Sequence, residues 1–159
     1  MTETEITLDE PRIQDRKAFY LAGLTERYNI RRIEGIGAQW DQFAPQIGQI
    51  PGRVGHLAYG VCYGFDGKGN MDYLCGVEVS EDAATPAGLK RLRIDEHRWA
   101  VFFHREHISK IKDTWQAIFK QWAPASPHAL VEGPQLEVYA EDFDHTKKGG
   151  VEIWIPVAR

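Results

Sequence analysis

Two short segments combine a carboxylate with a large aromatic side chain at a spacing of two residues. Glu137 precedes Tyr139, and Glu152 precedes Trp154. This spacing is typical of a β-strand, in which residues i and i+2 project from the same face. An acid beside an aromatic ring is suited to binding an apolar cation. The carboxylate supplies the counter-charge, and the ring face adds cation–π attraction of about 0.5–2 kcal/mol per contact.

The alternation predicts which side chains share a face of these two strands. The aliphatic residues are Leu136, Val138, Val151, Ile153, Ile155 and Val157. If the strands are antiparallel neighbours, we expect this aliphatic side to pack on helices. The opposite side would then present Glu137, Glu152, Tyr139 and Trp154 together. An alternative is that this second side meets solvent, as one face of an antiparallel sheet commonly does.

A third acid extends the same pattern to an earlier strand. Glu78 shares a strand face with Gly76, while Val77 and Val79 form the other face. A buried carboxylate without compensation is costly, so it takes up a proton or pairs with a cation. Gly60, Gly64 and Gly76 would leave room for a ligand, although glycines also serve bulges and twisted strands.

Weak internal similarity indicates that the fold is duplicated. The four residues from Gly76 to Val79 are similar to those from Gly150 to Ile153. Trp40 corresponds to Trp115 in a second helical stretch. Each unit has the order strand, helix, strand, strand, with pseudo-repeats at about 17–80 and 97–157. The sequence therefore predicts one α+β domain over residues 1–159. Its antiparallel sheet would carry two main helices on one face, with a ligand cleft between the halves.

Periodicity places the individual elements. Strands are predicted at 19–28, 57–65, 73–79, 99–104, 135–139 and 151–157, where apolar residues alternate or run together. Helices are predicted at about 33–47 and 107–122, the second one ended by Pro124. Residues 1–15 are expected to form a loose lead-in, and the segment around Pro86 is expected to be a connector.

Composition excludes several classes of function. A net charge of −4 disfavours a broad nucleic-acid surface, which requires a basic stripe. No stretch approaches the length of a membrane span, so we expect a cytoplasmic protein with Cys62 and Cys75 reduced. His104 and His107 are three apart rather than at the metal-binding HExxH spacing. Since no dinucleotide or phosphate-loop fingerprint is present either, neither a metal nor a cofactor is predicted.

The order and spacing of these segments resemble the gyrase-inhibitor-like (GyrI-like) effector-binding family over residues 17–157. The segments that carry the resemblance include those around Tyr59, Gly76–Val79, Trp115, Glu137 and Glu152–Val157. The family also provides the ligand domains of AraC- and MerR-type multidrug regulators, and the chain looks most similar to the stand-alone, integron-cassette type. Only about 16 residues precede the first predicted strand. We therefore expect no DNA-binding helix-turn-helix, and a separate regulator is a candidate partner.

The resemblance implies a small-molecule site whose ligands are cationic and aromatic. Glu137 and Glu152 match the acidic positions that meet such ligands, and Tyr139 and Trp154 would be their stacking neighbours. Further candidates for the site are Trp40, Tyr59, Glu78 and Trp115, although the helical spacing of Trp115 also fits core packing.

Three functions are compatible with this resemblance. The first is a non-catalytic receptor for amphipathic cations. The second is a hydrolase of strained cyclopropane-type electrophiles, in which Glu152 would orient water and Tyr139 would protonate the departing oxygen. The third is an interaction protein that inhibits a macromolecular target such as gyrase.

Overall fold

Eight strands and two helical segments build the protein in the computed structural model, which describes residues 8–159. The strands are β1 (Arg12–Arg16), β2 (Phe19–Asn29), β3 (Arg53–Tyr63), β4 (Asn70–Val79), β5 (Lys90–Ile94), β6 (His97–His104), β7 (Gln135–Tyr139) and β8 (Val151–Val157). Helix α1 (Ile36–Phe43) continues into a 3-10 turn (Ala44–Gln49). The second helical segment comprises a 3-10 turn (Ile108–Lys110), α2 (Ile111–Ala117), a π-helical turn (Ile118–Trp122) and α3 (Ala123–Ala125).

All strands join one antiparallel sheet in the order β1-β6-β8-β7-β3-β4-β2-β5. A pseudo-twofold axis between the two central strands, β3 and β7, relates the two halves of the sheet. Val61 lies opposite Leu136, Gly60 opposite Glu137, and Cys62 opposite Gln135. Trp40 on α1 and Trp115 on α2 are 75 residues apart, as are Val61 and Leu136, so the axis that relates both the helices and the strands passes through the Val61–Leu136 pair. The predicted α+β duplication of strand-helix-strand-strand units is confirmed.

The sheet curls into a half-barrel whose interior is a single apolar cluster. Arg16 on β1 reaches Glu78 on β4, although four strands separate β1 from β4 within the sheet. Side chains from seven strands meet in this interior, namely Phe19, Leu21, Tyr59, Val61, Leu74, Ile94, Trp99, Val101, Leu136, Val138 and Trp154. Hydrophobic burial of these residues closes the curl.

Both helical segments pack on the outer face of the half-barrel, one on each half. Helix α1 covers β2 and β4 through the buried side chain of Gln39, whose amide donates to the carbonyls of Leu24 (2.8 Å) and Tyr73 (2.9 Å). The hydroxyl of Tyr28 donates to Gln39 Oε1 at 2.7 Å. With its amide satisfied in this way, a buried glutamine fixes the position of α1 instead of destabilising the core.

The second segment packs its apolar side on β6 and β8. Ile118 lies in a cluster with Phe102, Ile153 and Ile155, and the Trp122 ring meets Phe102 edge-on at 4.9 Å. This helical segment runs beyond the predicted end at residue 122. Pro124 lies in the first turn of α3, where a backbone N–H is not needed for a helical hydrogen bond, so the proline does not end the helix.

The six predicted strands are present, but the sequence analysis missed the two edge strands. Strand β1 falls partly in the expected loose lead-in, and β5 follows the expected connector. Both are short and rich in charged residues, because edge strands face a partner on one side only and tolerate solvent on the other.

The echoed four-residue phrase does not mark structurally equivalent residues. Tyr63 lies opposite Asp72, and its counterpart Val138 lies opposite Glu152. The pseudo-twofold counterpart of Glu152 is therefore Asp72 and not Glu78. The offset arises because the connection from β7 to β8 (140–150) is longer than that from β3 to β4 (64–69). Within residues 8–159, no helix is long and apolar enough to cross a membrane.

Candidate functional site

A cleft runs along the outer face of the sheet between the two helical segments. Because α1 packs on β2 and β4, and the second segment on β6 and β8, neither covers the two central strands. Residues of β3 and β7 that point outward form the floor of the cleft: Gly60, Cys62, Glu137 and Tyr139. The last three are only partly buried, so the floor remains accessible.

Glu137 lies at the centre of this floor and is held by neutral donors. The hydroxyl of Tyr139 donates to Oε1 at 2.6 Å, and the indole N–H of Trp115 donates to Oε2 at 2.9 Å. Among residues 8–159, no lysine, arginine or histidine forms an ion pair with this carboxylate. Glu137 is therefore hydrogen-bonded without being neutralised.

The surroundings of Glu137 favour its neutral form. Burial raises the pKa of the Glu137 carboxyl, and the hydrogen bonds from Tyr139 and Trp115 and the field of His104 offset only part of this effect. His104 is itself buried, and its ring nitrogens are occupied by the Thr114 hydroxyl (2.7 Å) and the His107 carbonyl (2.8 Å). Perturbed carboxyl pKa values cluster at functional sites, which makes Glu137 a candidate functional residue.

Tyr73 brings a second hydroxyl to the centre of the cleft. Its oxygen accepts a hydrogen bond from the indole N–H of Trp40 at 2.9 Å, which leaves the Tyr73 proton free to point at another acceptor. A Cβ atom at Gly60 would lie 2.2 Å from this hydroxyl oxygen and 3.4 Å from Glu137 Oε1. The absence of a side chain at Gly60 thus allows the Tyr73 hydroxyl and the Glu137 carboxylate to approach each other across the strand.

Aromatic rings form the walls of the cleft on both sides of Glu137. The Trp40 ring meets Tyr139 edge-on at 5.2 Å, and Tyr139 meets Phe143 edge-on at 5.0 Å. On the other side, Trp115 lies parallel to Phe119 with ring centroids 6.2 Å apart. Trp40 and Trp115, which are 75 residues apart like Val61 and Leu136, thus direct their indole N–H groups toward the same polar centre.

The other groups of the cleft remain neutral. Burial raises the pKa values of Tyr73 and Tyr139 well above that of a free phenol. Burial and the nearby charge of Glu137 raise the pKa of the Cys62 thiol, so Cys62 carries no reactive thiolate. A carboxylate is therefore the only anion that this floor offers.

The expected common face for Glu137 and Glu152 is wrong. Glu137 lies opposite Ile153, and Glu152 lies opposite Val138, so the two acids project from opposite sides of the sheet. Glu137 and Tyr139 lie on the helix side, which the alternation had predicted to be aliphatic. Glu152 and Trp154 lie on the interior side with Leu136 and Val138. The proposed hydrolytic pair of Glu152 and Tyr139 is consequently split by the sheet.

The remaining candidates divide between the two faces. Trp40 and Trp115 lie in the cleft, whereas Tyr59 and Glu78 lie inside the half-barrel. The interior acids have basic partners: Arg16 Nη2 is 2.7 Å from Glu78, and Arg12 Nη1 is 3.3 Å from Glu152. Of the three predicted acids, only Glu137 lacks a cation within residues 8–159.

Sequence reasoning missed Tyr73, Phe119 and Phe143 as constituents of the cleft. Tyr73 carried a usable signal, since its alternation with Cys75, Val77 and Val79 assigns it to the helix side of β4. Phe143 lies in the long connection after β7 and carried no periodic signal.

A separate groove of about 640 Å³ opens where β3 ends and β7 begins. Its lining is mostly apolar and includes Tyr63, Phe65, Leu130, Val131 and Pro134, with Glu132 as its one charged residue. Neither Glu137 nor the two cleft tryptophans line it. We therefore regard the cleft as the candidate site on chemical grounds, since it brings together a carboxylate, hydroxyls and aromatic rings. No group of three or more potential metal ligands occurs within residues 8–159.

Aromatic rings around one carboxylate, set between duplicated α+β halves, are the kind of groups that small-molecule sites present. Residues 9–158 match the GyrI-like small molecule binding domain, and the chain belongs to this family.

Relatives of this chain include a regulator and two solved structures. The transcriptional regulator BrlR of Pseudomonas aeruginosa is 29% identical over 156 residues, which cover 92% of this chain and 54% of BrlR. The chain thus spans about half the length of that relative. SAV2435 bound to tetraphenylphosphonium superimposes with a TM-score of 0.71 at 21% identity, over 94% of both chains. An integron cassette protein of Vibrio cholerae gives 0.62 at 17% identity, over 95% of this chain and 97% of that one.

Substituting Gly60 tests the packing at the cleft floor. We expect Gly60→Ala to destabilise the protein by about 1–3 kcal/mol, because the new methyl group overlaps the Tyr73 hydroxyl. Adding Tyr73→Phe should restore part of this loss, since it removes the nearest overlapping atom. Urea unfolding of both single variants and the double variant measures the coupling. Strictly additive free energies would contradict the proposed contact.

Replacing Glu137 tests its electrostatic cost. Because the pKa of Glu137 is raised in the folded state, protonation stabilises the fold. That contribution is fully present below the unfolded-state pKa and is lost as pH rises through the folded-state pKa. We therefore expect Glu137→Gln to gain stability relative to the wild type as pH increases to neutrality. Urea unfolding over a pH series measures the difference, with the exposed Asp41→Asn as control; a constant difference at all pH values would refute the explanation.

Proposed function

We propose that the protein binds a cationic, aromatic small molecule in the cleft, with Glu137 as the counter-ion. The observation that carries this proposal is the partly buried carboxylate of Glu137, which has hydrogen-bond donors but no basic partner within residues 8–159. Since leaving a charge in such surroundings is costly, the site gains free energy when a cation completes it.

The type of ligand follows from the donors around Glu137. Tyr139 and Trp115 already donate to the carboxylate, so a ligand need not contribute further N–H groups. A delocalised cation with an apolar body can instead lie against the rings of Trp40, Trp115 and Tyr139, where cation–π attraction and burial add to the ion pairing. Tetraphenylphosphonium, the molecule bound to SAV2435, has these properties.

Binding of this kind is suited to effector sensing. The regulator BrlR contains a region similar to nearly all of this chain, and the chain's net charge of −4 offers no basic stripe for nucleic acid. We propose that the domain responds to its ligand through another protein region or a separate regulator and does not contact DNA itself.

Substitution of the acids distinguishes the cleft from the half-barrel interior. We expect Glu137→Gln to weaken tetraphenylphosphonium binding at least about tenfold, or about 1.4 kcal/mol. Glu152→Gln should have little effect, because Glu152 lies on the other face and already pairs with Arg12. Isothermal titration calorimetry at neutral pH measures both. Equal affinities of the wild type and Glu137→Gln for tetraphenylphosphonium would refute the proposal.

The same titration has an expected pH dependence. Because the cation pairs with the ionised carboxyl, and the pKa of Glu137 is raised, wild-type affinity should begin to fall at a higher pH than for an ordinary glutamate. Glu137→Gln should show no such fall.

A second candidate function is hydrolysis of a strained electrophile by Glu137 and Tyr139. The observation that favours it is their 2.6 Å hydrogen bond, together with the raised pKa of Tyr139, which keeps the phenol protonated as a donor. In this scheme Glu137 takes a proton from water as the water attacks the ring carbon. The ring C–C bond breaks as the water oxygen bonds to carbon, and Tyr139 turns its hydroxyl proton from Glu137 to the carbanion that is released. The proton that Glu137 took from water then passes to Tyr139 across their hydrogen bond and restores both groups.

Incubation with a cyclopropane-type electrophile tests this second function. Hydrolysed product should form with the wild type and be reduced at least about a hundredfold in Tyr139→Phe, consistent with the usual contribution of general acid catalysis. Product analysis by mass spectrometry measures the rates. Binding of tetraphenylphosphonium without any turnover of the electrophile would refute the hydrolase function and support the receptor function.

A further inference from the structure

The interior of the half-barrel contains a second set of groups suited to a cation, and the chain's own Arg16 occupies it. Arg16 donates through Nη2 to Glu78 Oε1 at 2.7 Å and through Nη1 to the Tyr59 hydroxyl at 3.2 Å. Its guanidinium carbon lies 3.6 Å from the centroid of the Phe19 ring and 6.0 Å from that of Trp154. An acid, a phenol and aromatic rings thus surround a planar cation, as in the outer cleft.

The arginine breaks the pseudo-twofold symmetry of the sheet. Arg16 on edge strand β1 lies opposite His97, whereas Leu92 on edge strand β5 lies opposite Leu21. The pseudo-twofold axis relates β2 to β6 and β5 to β1. The strand registers make Leu21 on β2 the counterpart of His97 on β6, so their partners Leu92 and Arg16 are counterparts as well. An aliphatic residue thus suffices at this position in one half, so packing alone does not account for a cation in the other half.

Strand β1 is attached to the sheet weakly enough to move. It has five residues, pairs with β6 alone among the strands of residues 8–159, and presents a single apolar side chain, Ile13, which is 38% exposed. Its other links are ion pairs, including that of Arg98 with Asp15 at 2.7 Å and that of Arg12 with Glu152, whose side chains are 53% and 29% exposed. Exposed ion pairs contribute little, and such edges open locally at a small fraction of the global unfolding free energy.

We propose that the half-barrel interior is a second cation site, formed by Glu78, Tyr59, Phe19 and Trp154, and that β1 closes it by inserting Arg16. The external ligand would be a guanidinium or amidinium group, because Glu78 and Tyr59 offer acceptors for its parallel N–H donors. Competition with Arg16 lowers the apparent affinity by the fraction of molecules in which β1 is displaced. This site is separate from the outer cleft and does not depend on the function of Glu137.

Ethylguanidinium, which reproduces the tip of an arginine side chain, is a suitable probe. The test uses Glu137→Gln as the parent protein, so that the outer cleft does not contribute to the measured binding. Arg16→Ala should bind ethylguanidinium at least about tenfold more tightly than the parent, as followed by NMR titration of the Trp154 indole signal. Arg12→Ala is the matched control, since it removes the other interior-facing arginine of β1 but retains Arg16, and it should behave like the parent.

Two further measurements make the result decisive. Adding Glu78→Gln to Arg16→Ala should abolish the gain in affinity. If Arg16→Ala is poorly folded, millimolar ethylguanidinium should raise its melting temperature relative to the same concentration of sodium chloride, because a ligand of the folded state stabilises it. Binding by Arg16→Ala that is no tighter than that of the parent, or a gain that survives Glu78→Gln, would overturn the proposal.

Hydrogen exchange of the unsubstituted chain tests the movement of β1. The amides of β1 should exchange at least about tenfold faster than those of β8, and ethylguanidinium should accelerate β1 further by trapping the displaced form. Protection of β1 equal to that of β8 would show that the strand does not open, and would overturn its role as a closing element.

Discussion

The arrangement of the cleft depends on one costly group, the carboxylate of Glu137. Neutral donors hold it in place, but a carboxylate among aromatic rings still favours protonation or a cation. Its neighbours are arranged around that need. Gly60 has no side chain, Tyr73 is held by Trp40, and Trp115 is presented by α2, which packs on the half that contains Glu137. Stability lost at this position is balanced by the apolar interior of the half-barrel.

The interior acids show the alternative solution to the same problem. The Glu78 side chain is 19% exposed and pairs with Arg16, which neutralises its charge. Burial by itself lowers the pKa of Arg16, but the hydrogen bonds and charges of Tyr59 and Glu78 outweigh this and raise it. The two faces of one sheet thus carry a satisfied acid and an unsatisfied one, and only the unsatisfied acid is available to a ligand without a change in the protein.

Much of the fold follows from local patterns. The bounds of β7 and β8 were predicted to the residue because branched apolar side chains alternate up to clear turns. The register between them was not predictable, since it depends on how the long connection at 140–150 folds. A shift of one residue moves every side chain to the other face, which explains why Glu137 and Glu152 were wrongly assigned to one face.

The residues predicted for the candidate site divide between the two faces of the sheet. Glu137, Tyr139, Trp40 and Trp115 converge on the cleft, whereas Glu78, Glu152, Tyr59 and Trp154 belong to the interior. Edge strands β1 and β5 escaped prediction because their charged sequences lack a hydrophobic period. The alternation of β4 places Tyr73 on the helix side, but its contact with Trp40 depends on the position of α1, which the buried contacts of Gln39 fix.

The position of the pseudo-twofold axis has a consequence for how occupancy could be communicated. The axis passes through Val61 and Leu136, directly beneath the cleft floor, so the duplicated halves share one central recess instead of having one each. A ligand bound there, as proposed, would lie between the helical segments of the two repeats. Under this proposal, the angle between the two repeats is the property through which a neighbouring protein would detect the ligand.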